Sequence, residues 1–408
     1  MLVSDYNYAL PDERIAKFPP KERGSTRLLV LNRKTGAIQD SHYRDLADFL
    51  APGDVLILND TRVMQSRLFC ALPDGREREL VVLEKHGDEP QRVMYRGKLH
   101  EGDILTVNPT RENLNHGSEN HNPESVNLNH DAKNLKPSFN RGEKNLNLEI
   151  EKHKVELPEH NIELSNHNLE SENHNLKPEN HNLELPKLKV EKILGNGIAE
   201  IESKIPLEEL AEQYGTVPLP PYLHRDATES DKKRYQTVWA KNMGSAAAPT
   251  ASLNMTNELL EKLREKGVKI QYLTLHVGLG TFLPMRSDKV EDHHMHSEWF
   301  NIPPETLAAI EAAKAAGNKV VAVGTTVART LEFYAKTGKT TGEDDIFIYP
   351  GFEFKILDAL VTNFHAPKST VLMLASAFAG WDHLHAAYDH AVREKYNFLS
   401  YGDSMLIC

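Results

Sequence analysis

Residues 216–408 alternate short apolar runs with helix signals, and this alternation limits the fold more than any other feature of the chain. Thr256 can cap a helix carrying Leu259, Leu260 and Leu263, with a stop at Gly267. Residues 268–277 then read as a strand, Pro303-Pro304 opens an alanine-rich helix that ends at Gly317, and residues 320–323 read as a buried strand. Strand–helix–strand order of this kind calls for parallel pairing through right-handed crossovers. Two runs near the start belong to the same class: residues 28–31, before the turn Lys34-Thr35-Gly36, and residues 55–58, after Pro52-Gly53-Asp54. The expectation is a discontinuous α/β domain made of residues 1–64 and 216–408.

Between these halves the pattern changes. Strand-like fragments occur at residues 80–83, 103–107, 192–194 and 197–201. Many short strands with glycine turns favour a small β-barrel, expected as a domain inserted over 65–215. A low-complexity stretch, about residues 108–190, interrupts it. His153, His160, His167, His174 and His181 recur every seven residues. The apolar positions do not fall at a and d of a heptad, and Pro158, Pro178 and Pro186 would break a helix. Such a stretch cannot bury enough apolar surface to offset its ordering entropy, so a disordered or loosely extended loop on the barrel domain is expected. Nothing presets its histidines in a closed metal geometry.

The net charge of −11 rules out a broadly basic surface, so any RNA footprint must be a local patch. Lys232-Lys233-Arg234 and the pair Arg96 and Lys98 are candidates. Cys70 and Cys408 are the only cysteines, which argues against a disulfide framework or a cysteine metal site. The opening Met1-Leu2-Val3-Ser4-Asp5 lacks the features of a secretory signal, and no run is long and apolar enough to span a membrane. A cytoplasmic, monomeric protein is expected.

Four strand ends carry polar groups of the kind a nucleoside needs. They are Asn59-Asp60-Thr61-Arg62, the glycine-rich run from His276 to Phe282, Gly324-Thr325-Thr326 with Arg329, and Asn363-Phe364-His365. At Gly324 a strand runs straight into a helix, where amides and Arg329 can hold an anionic group. His293, His294 and His296 with Glu298 lack the helical spacing of a zinc site, so acid–base use of one imidazole competes with a plain polar loop.

At these residues the chain resembles the S-adenosylmethionine:tRNA ribosyltransferase-isomerase family of queuosine biosynthesis. The likeness runs through Phe18-Pro19, Arg27 to Leu31, Asn59 to Val63, Pro218 to Tyr222, Arg234 to Val238, Leu275 to Phe282, Met295 to Glu298, Val323 to Thr326, Tyr349-Pro350-Gly351, Thr362 to His365, Ser376 to Gly380 and Ser400 to Asp403. It covers nearly everything except the repeat. The resemblance implies an α/β main domain with an inserted β-barrel domain. It also implies the substrates: S-adenosylmethionine as ribosyl donor, and tRNA bearing 7-aminomethyl-7-deazaguanine. A base removes the C5′ proton that the sulfonium makes acidic. The ribose opens, adenine leaves, the aminomethyl group adds, and methionine departs as the epoxide of epoxyqueuosine forms. No metal or prosthetic group is required.

The same resemblance points to His276, His296 and His365 as proton handlers, with Glu298 or Asp403 to orient one of them. Pro249, Thr250, Gly278, Gly280, Thr281 and Phe282 are expected in the nucleoside pocket, beside Gly324, Thr325, Thr326, Arg329 and Asn363. Asp60, Arg62, Tyr235 and Gln236 are expected to contact base or ribose. The chain departs from the family at Ser252, Asn254 and Met255, where Gly, His and Phe are usual, and at Met64-Gln65-Ser66 and Tyr95. Asn254 cannot titrate, and Met255 cannot stack as an aromatic does. These departures leave two other readings open: a diverged paralogue with another acceptor, and a tRNA-binding protein of impaired catalysis.

Overall fold

The structure is a computed structural model that describes residues 1–83, 90–108, 185–195, 197–278, 285 and 287–408. Most of the repeat, and the expectation of a disordered loop there, lie outside the described residues. Its last residues, from Lys187 onward, belong to a barrel strand.

Among the described residues, nine strands form one mixed sheet. β1 (Arg27–Leu31), β2 (Ile38–His42) and β3 (Val55–Asn59) come from the first segment. β4 (Thr61–Val63) follows at once and pairs outside this sheet. Six strands then close a barrel: β5 (Arg67–Ala71), β6 (Glu77–Val82), β7 (Arg92–Arg96), β8 (Ile104–Val107), β9 (Lys187–Gly195) and β10 (Ile198–Ser203). α1 (Leu207–Tyr214) packs Leu207, Leu210 and Ala211 into the barrel core, and the capping box of Thr228 and Asp231 starts α2 (Glu229–Arg234). β11 (Asn242–Ser245) runs parallel to β4.

The chain then returns to the large sheet. α3 (Asn257–Glu265) is capped by Thr256, whose hydroxyl accepts from the Leu259 amide at 3.2 Å. β12 (Lys269–Leu275), β13 (Glu298–Asn301), α4 (Pro304–Ala315), β14 (Val320–Val323), α5 (Thr325–Thr337) and β15 (Thr341–Asp344) follow. β16 (Ala359–Asn363), α6 (Thr370–Ala379), α7 (Trp381–Arg393) and β17 (Ser404–Ile407) complete the order β15-β13-β12-β3-β14-β16-β17-β1-β2.

β3 from the first segment lies in the middle, between β12 and β14, with every residue buried. Its side chains alternate between two cores. Val55 and Ile57 pack with α4 to α7, while Leu56 and Leu58 pack with α3 and Tyr43. Parallel pairing, expected where strands alternate with helices, holds for β12–β3, β3–β14, β14–β16 and β17–β1. β12–β13, β13–β15, β16–β17 and β1–β2 are antiparallel. Among the described residues only a single 3₁₀ turn, Val290–Asp292, lies between β12 and β13, and two consecutive helices separate β16 from β17; in both cases the chain re-enters the sheet reversed.

Candidate active site

Residues just past β12, β14 and β16 converge on one cleft of about 730 Å³. Gly324 joins β14 to α5 with φ 102° and ψ 147°, a conformation that essentially only glycine adopts. That turn lets α5 begin directly at the strand's end. Gly324, Thr325 and Thr326 therefore line the cleft at the positive end of a 13-residue helix.

Asn363 closes β16 and is 3% exposed. Its Oδ1 accepts a 2.8 Å hydrogen bond from Thr250 Oγ1, but its Nδ2 is buried with no acceptor in the protein. A buried donor left unmet costs about 1–3 kcal/mol. On a cleft wall, such a donor is poised for an acceptor brought by a ligand.

His365 is fixed through its backbone. Its amide donates to the Tyr388 hydroxyl at 2.8 Å, and its carbonyl accepts from the Tyr8 hydroxyl. Its Nε2 lies 2.8 Å from Thr362 Oγ1. Burial pushes the imidazole down to about 3, so the ring is neutral at pH 7. Pro249 and Thr250 share this cleft with His365, as do two groups not singled out from the sequence, Tyr222 and Ser400. The Tyr222 hydroxyl and Ser400 Oγ are 2.5 Å apart, and burial raises the phenol above its ordinary value. The signal for both was their place in the Pro-Pro-Tyr and Ser-Tyr-Gly-Asp motifs.

His276 stands behind the wall formed by its neighbour Val277. It is buried, with Nδ1 2.8 Å from Thr61 Oγ1, and its ring stacks on Trp299 with centroids 5.1 Å apart. Gly244 packs against the same ring, so closely that a Cβ would lie 2.7 Å from it. Gly278 donates its amide to Glu298 Oε1 at 2.8 Å. Gly280, Thr281 and Phe282 lie outside the described residues.

Several expected site residues serve the framework. Arg329 is buried and spans two carboxylates: its Nη2 donates to Glu298, and its Nε donates to Asp344 at 3.2 Å. Burial raises the Asp344 carboxyl despite the nearby guanidinium. Two of the three guanidinium nitrogens of Arg329 are thus committed to carboxylates, and Glu298 holds both the Gly278 amide and Arg329. Asp403 accepts from the Arg27 and Asn397 amides, both at 2.7 Å, which fixes the turn that presents Ser400. Gln236 pairs its carboxamide with the backbone of Val63, accepting at 3.0 Å and donating at 2.8 Å. Asp60 accepts from Asn242 and Thr274. Tyr235 is buried in a small core edge-on to Tyr401. Arg62 and His296 are exposed, and neither lines the cleft.

Of the departures, Ser252, Asn254 and Met255 are buried and do not line the cleft. Asn254 donates to the Gly402 carbonyl at 3.1 Å, Met255 is enclosed in the α3 core, and Ser252 sits in a 3₁₀ turn without positive φ. Among the described residues, no helix is long and apolar enough to cross a membrane.

Comparison with known proteins gives a consistent result. Residues 3–407 match the family described as "Queuosine biosynthesis protein". A protein of Chlorobium phaeobacteroides named S-adenosylmethionine:tRNA ribosyltransferase-isomerase is 45% identical over 416 residues, covering 100% of both chains. One of the same name from a Sulfurihydrogenibium species is 42% identical over 407 residues, again with 100% of both covered. A crystal structure of an S-adenosylmethionine tRNA ribosyltransferase from Thermotoga maritima matches at 28% identity, with 99% of this chain and 100% of that one covered and a TM-score of 0.48. With a family match over nearly its whole length and full-length relatives above 40% identity, this chain belongs to the queuosine biosynthesis protein family.

Proposed function

We propose that the chain is an S-adenosylmethionine:tRNA ribosyltransferase-isomerase. It transfers and isomerises the ribosyl unit of S-adenosylmethionine onto 7-aminomethyl-7-deazaguanine in tRNA, giving epoxyqueuosine, adenine and methionine. The observation that carries this reading is the cleft at the strand ends, where the unmet Nδ2 of Asn363 meets a neutral His365 and the start of α5. The relatives named for this activity support it.

The residues take the following roles. Asn363 donates to the nucleoside, with Thr250 holding its carboxamide. The α5 amides at Thr325 and Thr326 receive the methionine carboxylate. His365 handles the C5′ proton: its ring is unprotonated and does not repel the sulfonium, while its burial weakens it as a base. His276, held by Thr61, Trp299 and Gly244, positions the wall at Val277. His296 and Arg62, both exposed, contact the RNA. Holding two large substrates in register supplies much of the rate enhancement. The catalytic domain comprises residues 1–64 and 216–408, and residues 65–215 are the inserted barrel domain. The protein acts in the cytoplasm as a monomer.

The buried settings of Ser252, Asn254 and Met255 support this reading over the paralogue and binding-only alternatives, because none of the three supplies a cleft group. Incubation with precursor-bearing tRNA and S-adenosylmethionine tests it. Adenine and methionine should be released in equal amounts; release of neither overturns the reading.

A further inference from the structure

A second cavity, larger than the cleft, lies between barrel strands β5 to β7 and residues 218–226, with an empty volume of about 1430 Å³. Arg96 and Tyr95 line its barrel side, and Pro221, His224 and Arg225 line the other. Residues 218–226 also reach the cleft, because Tyr222 is one of its walls. The two spaces are therefore joined by one short segment.

At this segment stands an exposed aromatic. Phe18 is 60% exposed, far more than its apolar ring favours. The Arg225 guanidinium lies 4.2 Å from its ring centroid. That guanidinium is held by hydrogen bonds on more than one side. It donates two hydrogen bonds, of 2.7 and 2.8 Å, to Asp231 and one of 2.7 Å to the Lys17 carbonyl. Asp231 is 1% exposed and also accepts from Thr228 and Tyr401. Phe18 is thus a flat surface backed by a locked cation, with much of the ordering cost of a stacking site already met by the fold.

The groove itself is mixed in sign, since the exposed Asp226 lines it as well as Arg96, and the positive excess comes from two arginines close in sequence to Phe18 and Arg225. Arg96 is exposed. Arg234 donates to the carbonyls of Pro20 and Lys21, and Arg23 donates to those of Gln236 and Lys233. Neither arginine is paired with a carboxylate among the described residues. Two neighbouring guanidiniums without a carboxylate partner leave local positive charge on a chain whose net charge is negative. Arg67 does not contribute, because Glu79 neutralises it at 2.9 Å.

We propose that Phe18, backed by Arg225, is a stacking platform for an unpaired base of the RNA substrate, and that the groove beside Arg96 carries the strand from that base to the cleft. This rests on tRNA being the acceptor. Every base has a π-face, so the platform selects an unstacked base and not a sequence.

The test compares the full chain with Phe18→Ala, Phe18→Trp and Arg96→Ala, using precursor-bearing tRNA and S-adenosylmethionine. Phe18→Ala should raise Kd and KM for tRNA about tenfold, the order expected for losing one base–aromatic stack. Phe18→Trp should restore them, while kcat and the affinity for S-adenosylmethionine stay at the parent values. Arg96→Ala should lower the slope of log affinity against log salt by about one. Unchanged tRNA affinity in Phe18→Ala and Arg96→Ala, with the parent protein turning over, overturns this inference and leaves the proposed activity standing. Weakened tRNA binding in Phe18→Ala, with a parent that releases neither adenine nor methionine, keeps the platform and overturns the activity.

Discussion

Gly244 and His276 are packed so tightly that a Cβ on the glycine would lie 2.7 Å from the imidazole. The backbone of β11 therefore sets where the ring stands, together with Thr61 and Trp299. Gly244→Ala should push the ring off Thr61 and move the wall at Val277. Overpacking of this kind costs about 1–3 kcal/mol. A lowered Tm with a fall in kcat larger than the change in tRNA affinity is the expected result. A parent-like kcat would show that the His276 position is immaterial to turnover.

Asn363 should separate stability from binding. Removing its carboxamide relieves an unmet buried donor but deprives Thr250 of its acceptor, so Asn363→Ala should move Tm little. The affinity for S-adenosylmethionine should fall about tenfold, the scale of one well-placed hydrogen bond. Calorimetric titration with S-adenosylmethionine reads this directly. A large loss of Tm at parent affinity would make Asn363 a framework residue only.

The ion triad of Glu298, Arg329 and Asp344 should respond in the opposite way. Arg329→Met leaves two buried carboxylates without their cation, which costs about 3–5 kcal/mol. Chemical denaturation should show that loss. Substituting Arg329 and both carboxylates together by apolar residues should recover much of it. If Arg329→Met were as stable as the parent, the guanidinium would be free for a ligand after all.

His365 gives a pH dependence with a definite sign. Its folded value of about 3 lies below the ordinary 6.5, so the unfolded chain binds the proton more readily. Stability from the neutral buried ring is fully present above 6.5 and is lost as pH falls toward 3. Between pH 6.5 and about 5 the loss is about 2 kcal/mol. His365→Gln should remove this part of the acid limb, and equal acid sensitivity in parent and variant would contradict the buried neutral ring. Under the proposed activity, His365→Gln should also lower kcat far more than it raises the Kd for S-adenosylmethionine.

The parts of the fold legible in the sequence are those buried on both faces. β3 and β14 are unbroken apolar runs because helices cover both sides, and Thr256 with Gly267 marks α3 by cap and stop. β15 was not legible, since Thr341-Gly342-Glu343-Asp344 at the sheet's edge buries too little to leave an apolar pattern. In the site, Thr325 and Asn363 were readable because strand ends are where ligands bind. The duties of Arg329, Gln236 and Asp403 were not. Each is decided by a partner far away in the chain or across the sheet, and one residue type can serve a substrate or a scaffold with equal chemistry. Tyr222 and Ser400 reach the cleft from segments with no strand to announce them.

β17 pairs with both β16 and β1, so residues 404–407 join the two portions of the sheet. During synthesis, β1 emerges from the ribosome with a vacancy along one side that is filled only after residues 404–407 have been translated, more than 370 positions later. For that interval the nascent chain offers an unpaired apolar strand to any other chain in reach. Folding that waits on so distant a partner is slow, and until then the antiparallel neighbour β2 is the one strand close in sequence that can cover an edge of β1.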